Sequence, residues 1–163
     1  MQTTSLIFIL SFSLMPYGWA SCWEDAATRY GHDPAELYAL AKVESSLNPA
    51  AENRSHFQHT HSFDIGLLQI NSRSLPELAR YHIGYQELKD PCTNIMVGAW
   101  ILADKKRRYG NTWEAIGAWN AACSELKGES CQTARKVFAW KVWKAMYATS
   151  SHPAHAKGQR RTS

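Results

Sequence analysis

A glutamate occupies a position on a predicted helix where the pattern calls for an apolar residue. Leu37, Leu40 and Ala41 are spaced by three and four positions, and Glu44 is the next residue on that stripe. Because residues at this spacing share one helix face, the carboxyl group is predicted to face the interior. Loss of hydration raises the pKa of a carboxyl group, which suits a general acid near neutral pH. The alternative is a surface glutamate paired with a nearby cation.

Three histidines, His56, His59 and His61, follow this helix within a polar stretch, residues 51–61, that is predicted to be a loop. Their spacing matches no helix face, and no carboxylate or cysteine joins them in a metal-ligand pattern. We therefore interpret them as solvated loop histidines, and we predict neither a metal site nor a cofactor.

The helix that carries Glu44 has clear start and stop signals. Asp33 is a favourable N-cap, Pro34 suits the first turn, and Glu36 lies three residues after the cap. A residue that precedes proline disfavours the helical conformation, so the helix must end before Pro49.

The other predicted elements are one short β segment and several helices. The β segment covers residues 64–71 and contains Gly66, where it can bend. Pro91 opens a long helix that closes at Gly110, after a basic stretch (105–108) interpreted as a solvated helix end. Further helices are predicted over residues 23–30, 112–119 and 133–147. The fold class is therefore α+β and mostly α, with helices around one small sheet.

Three short motifs occur in order along the chain: ESSLNP at residues 44–49, GLLQIN at 66–71 and AWNA at 118–121. Together they make the chain resemble the soluble lytic transglycosylase domain, which is goose-lysozyme-like, over nearly all of residues 22–147. It is most similar to the short exported transglycosylases that accompany conjugative type IV and virulence type III secretion systems. Those proteins also show an early Cys-Trp and an Asp-Pro-Cys, as residues 22–23 and 90–92 do here. The resemblance implies a lysozyme-like fold with an antiparallel sheet.

The resemblance also implies a set of site residues. Glu44 corresponds to the catalytic glutamate of the family. The implied substrate-binding positions are Ser45, Asp64, Leu68, Gln69, Trp119, Asn120 and Phe138. Trp119 and Phe138 stand where the family usually has tyrosine, so two hydroxyl groups are replaced. The indole N–H of Trp119 can still donate one hydrogen bond.

The implied reaction cleaves the β-1,4 bond between N-acetylmuramic acid and N-acetylglucosamine in peptidoglycan and leaves a 1,6-anhydromuramoyl end. One alternative is a hydrolytic goose-type lysozyme, in which Asp64 would help to hold a water molecule. From the residues alone, an Asx turn ahead of a strand is the preferred interpretation of Asp64. The other alternative is a catalytically weak muropeptide-binding scaffold protein of a secretion system.

Both ends of the chain are predicted to lie outside the folded domain. Residues 1–20 contain no charged side chain, an apolar run and a Gly-Trp-Ala cleavage pattern, and they are interpreted as a cleaved signal peptide. Residues 150–163 have no apolar periodicity and are predicted to be a disordered basic tail. The domain is therefore expected over residues 21–149, in the periplasm, without stable membrane insertion after cleavage.

Composition sets further limits on structure and partners. The even cysteine count, Cys22, Cys92, Cys123 and Cys131, indicates two disulfides in an exported protein. Four cysteines allow three connectivities, of which we favour Cys22 with Cys92 and Cys123 with Cys131. The net charge is +4, and the predicted tail contributes three of the positive charges, so the folded part is close to neutral. A domain with so little positive charge is not expected to bind nucleic acid, which we exclude as a partner. Most of the seven tryptophans are predicted to fill the core.

Overall fold

The computed structural model describes residues 17–121, 123 and 127–150. Its helices are α1 (Tyr17–Tyr30), α2 (Pro34–Ser45), α3 (Phe57–Thr60), α4 (Leu75–Leu78), α5 (Pro91–Tyr109), α6 (Trp113–Asn120) and α7 (Gly128–Ser150). The strands are β1 (Glu52–Asn53), β2 (Asp64–Ile65) and β3 (Ile70–Asn71), and they form one antiparallel sheet in the order β1-β2-β3. The predicted fold class, a mostly helical α+β fold with a small antiparallel sheet, is confirmed.

The core lies between α2, α5, α7 and the hairpin of β2 and β3. Helix α2 packs against α7, α1 packs against α5, and α6 bridges α5 and α7. Apolar side chains from each of these elements are fully buried, among them Leu40, Leu68, Leu102, Ile116 and Val142. Helix α2 is therefore held between neighbours on two sides, which fixes the residues at its C-terminal end.

The boundaries of α2 follow the predicted signals. The Asp33 carboxylate accepts a hydrogen bond from the backbone N–H of Ala35 at 2.8 Å, and Ser46 ends the helix in the left-handed conformation. Glu36 does not complete a capping box, because its carboxylate accepts from Lys106 Nζ at 2.5 Å and so links α2 to α5. The interpretation of residues 105–108 as a wholly solvated helix end is thus wrong for Lys106.

Residues 64–71 form a hairpin rather than one continuous β segment. Gly66 and Gln69 both have positive φ, at 75° and 46°, and the N–H of Gln69 donates to the carbonyl of Gly66 at 3.1 Å. A Cβ added at Gly66 would lie 2.4 Å from Asn94 Nδ2, so only glycine fits between the hairpin and α5. The chain therefore reverses direction within four residues.

Two other local predictions are wrong. The stretch 51–61, predicted to be a loop, contains β1 and the short helix α3. The tryptophans whose side chains the structure describes do not fill the core: Trp113 and Trp140 are 41% and 55% exposed, and Trp143 stacks on Trp140 with ring centroids 4.6 Å apart. Trp23, Trp100 and Trp119 pack against the core from its edge.

The favoured disulfide connectivity is confirmed, with Cys22 joined to Cys92 and Cys123 joined to Cys131. The first bond ties α1 to the start of α5. The second joins the segment after α6 to α7, which begins at Gly128 rather than near residue 133. The bond therefore anchors the first turn of α7 and does not simply close a loop.

The predicted signal peptide lies mainly outside the described residues, although α1 begins at Tyr17, ahead of the predicted mature start at residue 21. Residues 151–163 of the predicted tail also lie outside them. None of the helices within the described part of the chain is long and apolar enough to cross a membrane.

Candidate active site

Glu44 lies in the last turn of α2, on the face predicted from the sequence. Leu37, Leu40 and Ala41 on that face are fully buried, and the Glu44 side chain stands half-buried at the edge of the core. Burial, and after it the charge of Asp64, raise the pKa of this carboxyl group to about 7, against a hydrogen bond from Trp119 that lowers it. The carboxyl group is therefore half protonated near neutral pH.

Asp64 is the second carboxylate of the site, and it lies within β2 rather than in an Asx turn before it. Its Oδ1 accepts a hydrogen bond from Asn71 Nδ2 at 2.7 Å, across the hairpin in β3. His56 Nε2 lies 3.6 Å from the other oxygen, Oδ2. Asn71 also donates to Ser62 Oγ at 3.2 Å. This network holds the Asp64 carboxylate in place and supplies it with polar partners.

The hairpin that carries Asp64 and Gln69 is fastened to α5 by one buried side chain, Asn94. Its Nδ2 donates to the carbonyls of Ile65 and Leu88 at 2.9 and 2.8 Å, and its Oδ1 accepts from the N–H of Leu68 at 2.8 Å. Asn94 is only 1% exposed, so these bonds satisfy polar groups that water cannot reach. Sequence reasoning missed this residue, because the only available signal was one asparagine within an apolar helix stripe.

The turn of the hairpin places Gln69 in the cleft. Its Nε2 donates to the carbonyl of Gly66 at 2.8 Å and reaches that of Ala51 at 3.4 Å. The side chain is therefore held by the turn itself and by the residue that precedes β1, and its left-handed backbone directs it away from the core that Leu68 enters. The fixed amide is suited to hydrogen-bonding a polar ligand.

Helix α6 contributes Trp119 and Asn120 from its C-terminal turn. That turn is anchored by Arg135 on α7, whose Nε donates to the carbonyl of Ala121 at 3.0 Å. The guanidinium also bonds Glu114 at 2.6 Å and stacks 4.5 Å above the ring of Tyr109. Arg135 was not predicted from the sequence, since an arginine on a helix is usually solvated.

These elements surround a cleft with a volume of about 520 Å³. The predicted residues that line it are Glu44, Asp64, Gln69, Trp119 and Asn120. Further polar side chains in the wall are Asn53, His56, Ser62, Asn71, Arg73 and Lys105. Of the three loop histidines, only His56 reaches the cleft, whereas His59 and His61 are exposed. Among the described residues, no group of three or more His, Cys, Asp or Glu side chains is placed to hold a metal ion.

Three predicted substrate-binding residues do not line the cleft. Leu68 is fully buried, and its side chain packs against Gly98 of α5. Phe138, on α7, is 5% exposed and belongs to the core. The hydroxyl of Ser45 donates to the carbonyl of Ala41 within α2 at 3.2 Å. The assignment of Leu68 and Phe138 as substrate contacts is corrected: both support the elements that form the cleft.

The cleft brings together a carboxyl group that is partly protonated at neutral pH, a second carboxylate and a row of amide and hydroxyl groups. A protonated carboxyl group can donate to a leaving oxygen, and a nearby anion stabilises positive charge that develops on carbon. The arrangement suits acid-catalysed cleavage of a glycosidic bond.

Comparison with known proteins agrees with this chemistry. The sequence model of one protein family, the transglycosylase SLT domain, matches residues 21–138 of this chain. The chain belongs to the transglycosylase SLT family. We therefore assign it as a peptidoglycan lytic transglycosylase, and the resemblance stated from its motifs is confirmed.

Relatives and a solved structure extend the comparison. The chain is 35% identical to invasion protein IagB of Salmonella typhimurium over 156 residues, which cover 95% of this chain and 91% of that protein. It is 35% identical to protein IpgF of Shigella flexneri, over 74% of this chain and 78% of that protein. The X-ray structure of an inactive mutant of lytic transglycosylase Slt from Pseudomonas aeruginosa shares the fold, with a TM-score of 0.61 and 18% identity. The match covers 80% of this chain and 24% of that one.

Proposed function

We propose that this protein cleaves the bond between N-acetylmuramic acid and N-acetylglucosamine with Glu44 as the catalytic acid and leaves a 1,6-anhydromuramoyl end. The observation that carries the proposal is the position of Glu44, whose half-buried carboxyl group lines the cleft together with Asp64. Its pKa, which burial and Asp64 raise to about 7, supports the same role. An acid of this strength is protonated often enough to donate at neutral pH and basic enough, once ionised, to take a proton back.

Glu44 acts twice in the proposed reaction. Its carboxyl proton passes to the glycosidic oxygen as the bond from that oxygen to C1 of the muramoyl sugar breaks. The N-acetyl group of the same sugar assists, and its C6 hydroxyl then attacks C1. The Glu44 carboxylate accepts the hydroxyl proton as the new ring closes, so the enzyme returns to its starting state without water or a cofactor.

Trp119 stands where the family usually has tyrosine, and in this proposal its indole N–H replaces the tyrosine hydroxyl as a hydrogen-bond donor. Its indole N–H donates a hydrogen bond to the Glu44 carboxylate. The bond orients the carboxyl group and stabilises its ionised form, which is the form needed in the second step. We infer that the replacement retains one donor and therefore retains the catalytic geometry.

A hydrolytic reaction is the second candidate, and the position of Asp64 favours it. The Asp64 carboxylate lies in the same cleft as Glu44 and is fixed by Asn71. Such a carboxylate can hold a water molecule for attack on C1, which would give a free reducing end. The two reactions differ in product, so mass spectrometry of muropeptides released from purified sacculi separates them by the mass of one water.

The names of two relatives support a proposal for the setting of the reaction. Two of them carry the names invasion protein IagB and protein IpgF, and they match most of this chain. We propose that the protein acts in the periplasm, after removal of residues 1–20, and opens the cell wall locally for a secretion or conjugation apparatus.

The substitution Glu44→Gln tests the catalytic assignment. Glutamine keeps the shape but has no transferable proton, so release of anhydro-muropeptides should fall by about 10³-fold or more, while retention on insoluble peptidoglycan persists. Glu24→Gln, at an exposed position on α1, is the matched control and should leave the rate unchanged. Wild-type release by Glu44→Gln would refute the assignment.

A further inference from the structure

A second cavity adjoins the cleft along α5 and is called here the side chamber. Its volume is about 590 Å³, and its charged lining residues are Glu77, Asp104, Lys105, Arg107 and Arg108. Ser74, Ile101 and Lys105 line both the cleft and the side chamber. The two spaces are therefore neighbours, and a group attached to a sugar in the cleft can extend past these three side chains.

The charges of the side chamber are not all satisfied internally. Asp104 pairs with both Arg107 and Arg108, the latter at 2.8 Å between Nε and Oδ2. Among the residues that the structure describes, Lys105 forms no ion pair. The adjacent Lys106 pairs with Glu36, with 2.5 Å between Nζ and Oε2. Three cations and two carboxylates line the side chamber, which gives it a net charge of +1. The two arginines share Asp104, and neither Glu77 nor Lys105, at the wall shared with the cleft, has an ion-pair partner among the described residues.

We propose that the side chamber binds a carboxylate of the peptide stem of peptidoglycan and that Lys105 pairs with it. This proposal rests on the proposed function of the cleft. In intact peptidoglycan the lactyl carboxyl group of N-acetylmuramic acid is amide-bonded to the stem, so the glycan itself is uncharged. The stem carries free carboxylates and begins at the sugar that the cleft must hold.

Charge complementarity favours the stem over further sugar units as the occupant. The three cations of the wall outnumber its two carboxylates, so a stem with free carboxylates finds cationic partners there, whereas a neutral sugar does not require them. Lys105 lines both the cleft and the side chamber, so a stem that passes from one to the other would bring a carboxylate near its root close to this side chain. The interaction lies near the surface and should weaken as salt rises.

The experiment compares two soluble substrates that differ only in charge. The first is a set of uncross-linked glycan strands with intact stems whose amines are acetylated. The second is the same set after the stem carboxylates have been converted to amides. For the wild-type enzyme, kcat/KM should be about 10-fold higher on the carboxylate form, the effect expected of one charge-assisted hydrogen bond.

Variants assign the preference to the side chamber. Lys105→Met should bring the ratio of the two kcat/KM values close to 1, and Lys105→Arg should restore most of it. Lys144→Met removes one charge from an exposed position on α7 and should keep the wild-type ratio. Because each ratio uses one enzyme preparation, a loss of folded protein cancels out.

A wild-type ratio close to 1 would overturn the proposal and leave neutral sugars as the occupant. A ratio that Lys105→Met does not change would place the carboxylate elsewhere and would also overturn it. A wild-type enzyme that cuts neither substrate would instead refute the proposed function, so the two failures are distinguishable.

Discussion

Removal of the Asp64 charge should shift the pH profile of the enzyme toward acid. In the proposed reaction Glu44 must be protonated at the start, so the rate should fall on the alkaline side as that group ionises, with a midpoint near its pKa of about 7. The Asp64 carboxylate disfavours a second negative charge in the cleft and therefore raises that pKa. Asp64→Asn removes the charge but keeps an oxygen that can accept from Asn71, so the pKa of Glu44 should fall while the hairpin stays in place.

The size of the shift follows from electrostatics in a half-buried cleft. Two like charges in such a setting repel by about 1 kcal/mol, well below the value for a dry interior. Since 1.36 kcal/mol corresponds to one pH unit, the alkaline midpoint should move down by about 0.7 unit. When each rate is expressed relative to the enzyme's own acid plateau, the variant should then be about 5-fold slower at pH 8 than the wild type.

The measurement is kcat/KM against pH for release of muropeptides, fitted for the midpoint and the plateau separately. A lower acid plateau of kcat/KM in Asp64→Asn would show that Asp64 also has another role in the reaction. The midpoint depends only on the pKa of Glu44. Asp25→Asn, at an exposed position on α1, is the charge-matched control and should leave the midpoint in place. A midpoint that stays near 7 or moves upward in Asp64→Asn would refute the reasoning.

Two further outcomes are expected. Trp119→Phe removes the N–H that stabilises the Glu44 carboxylate, so the alkaline midpoint of the same pH profile should move up, opposite in sign to Asp64→Asn. An unmoved midpoint would contradict this role of Trp119. Asn94→Ala leaves buried polar groups of Ile65, Leu68 and Leu88 without partners and should lower the free energy of unfolding by about 3 kcal/mol in urea titrations. A loss under 1 kcal/mol would show that Asn94 does not fasten the hairpin.

The helices near the site were predictable from the sequence because their signals are local. Asp33 and Pro34 start α2, and Pro91 and Gly110 bound α5, as cap and proline chemistry require. The prediction that Glu44 lies on the inward face of α2 required only the 3.6-residue period of a helix. Each of these inferences uses residues within a few turns of one another, so no knowledge of the tertiary contacts was necessary.

The hairpin could not be predicted in the same way. The sequence predicts one β segment over residues 64–71 because apolar residues continue through the turn, at Leu67 and Leu68. The turn exists because Asn94, 26 residues from Leu68, supplies the hydrogen bonds that a longer strand would otherwise provide. A contact at that separation leaves no trace in local patterns, and the burial of Leu68 and Phe138 was missed for the same reason.

The acid strength of Glu44 is therefore a property of the tertiary structure rather than of any one motif. Its three causes come from three elements: burial at the end of α2, the Asp64 charge on β2 and the Trp119 donor on α6. Asn94 fixes the strand that carries Asp64, and Arg135 fixes the helix end that carries Trp119. Neither Asn94 nor Arg135 lines the cleft. A residue outside the motifs can thus change the rate by moving the pKa of the acid, without contacting the substrate.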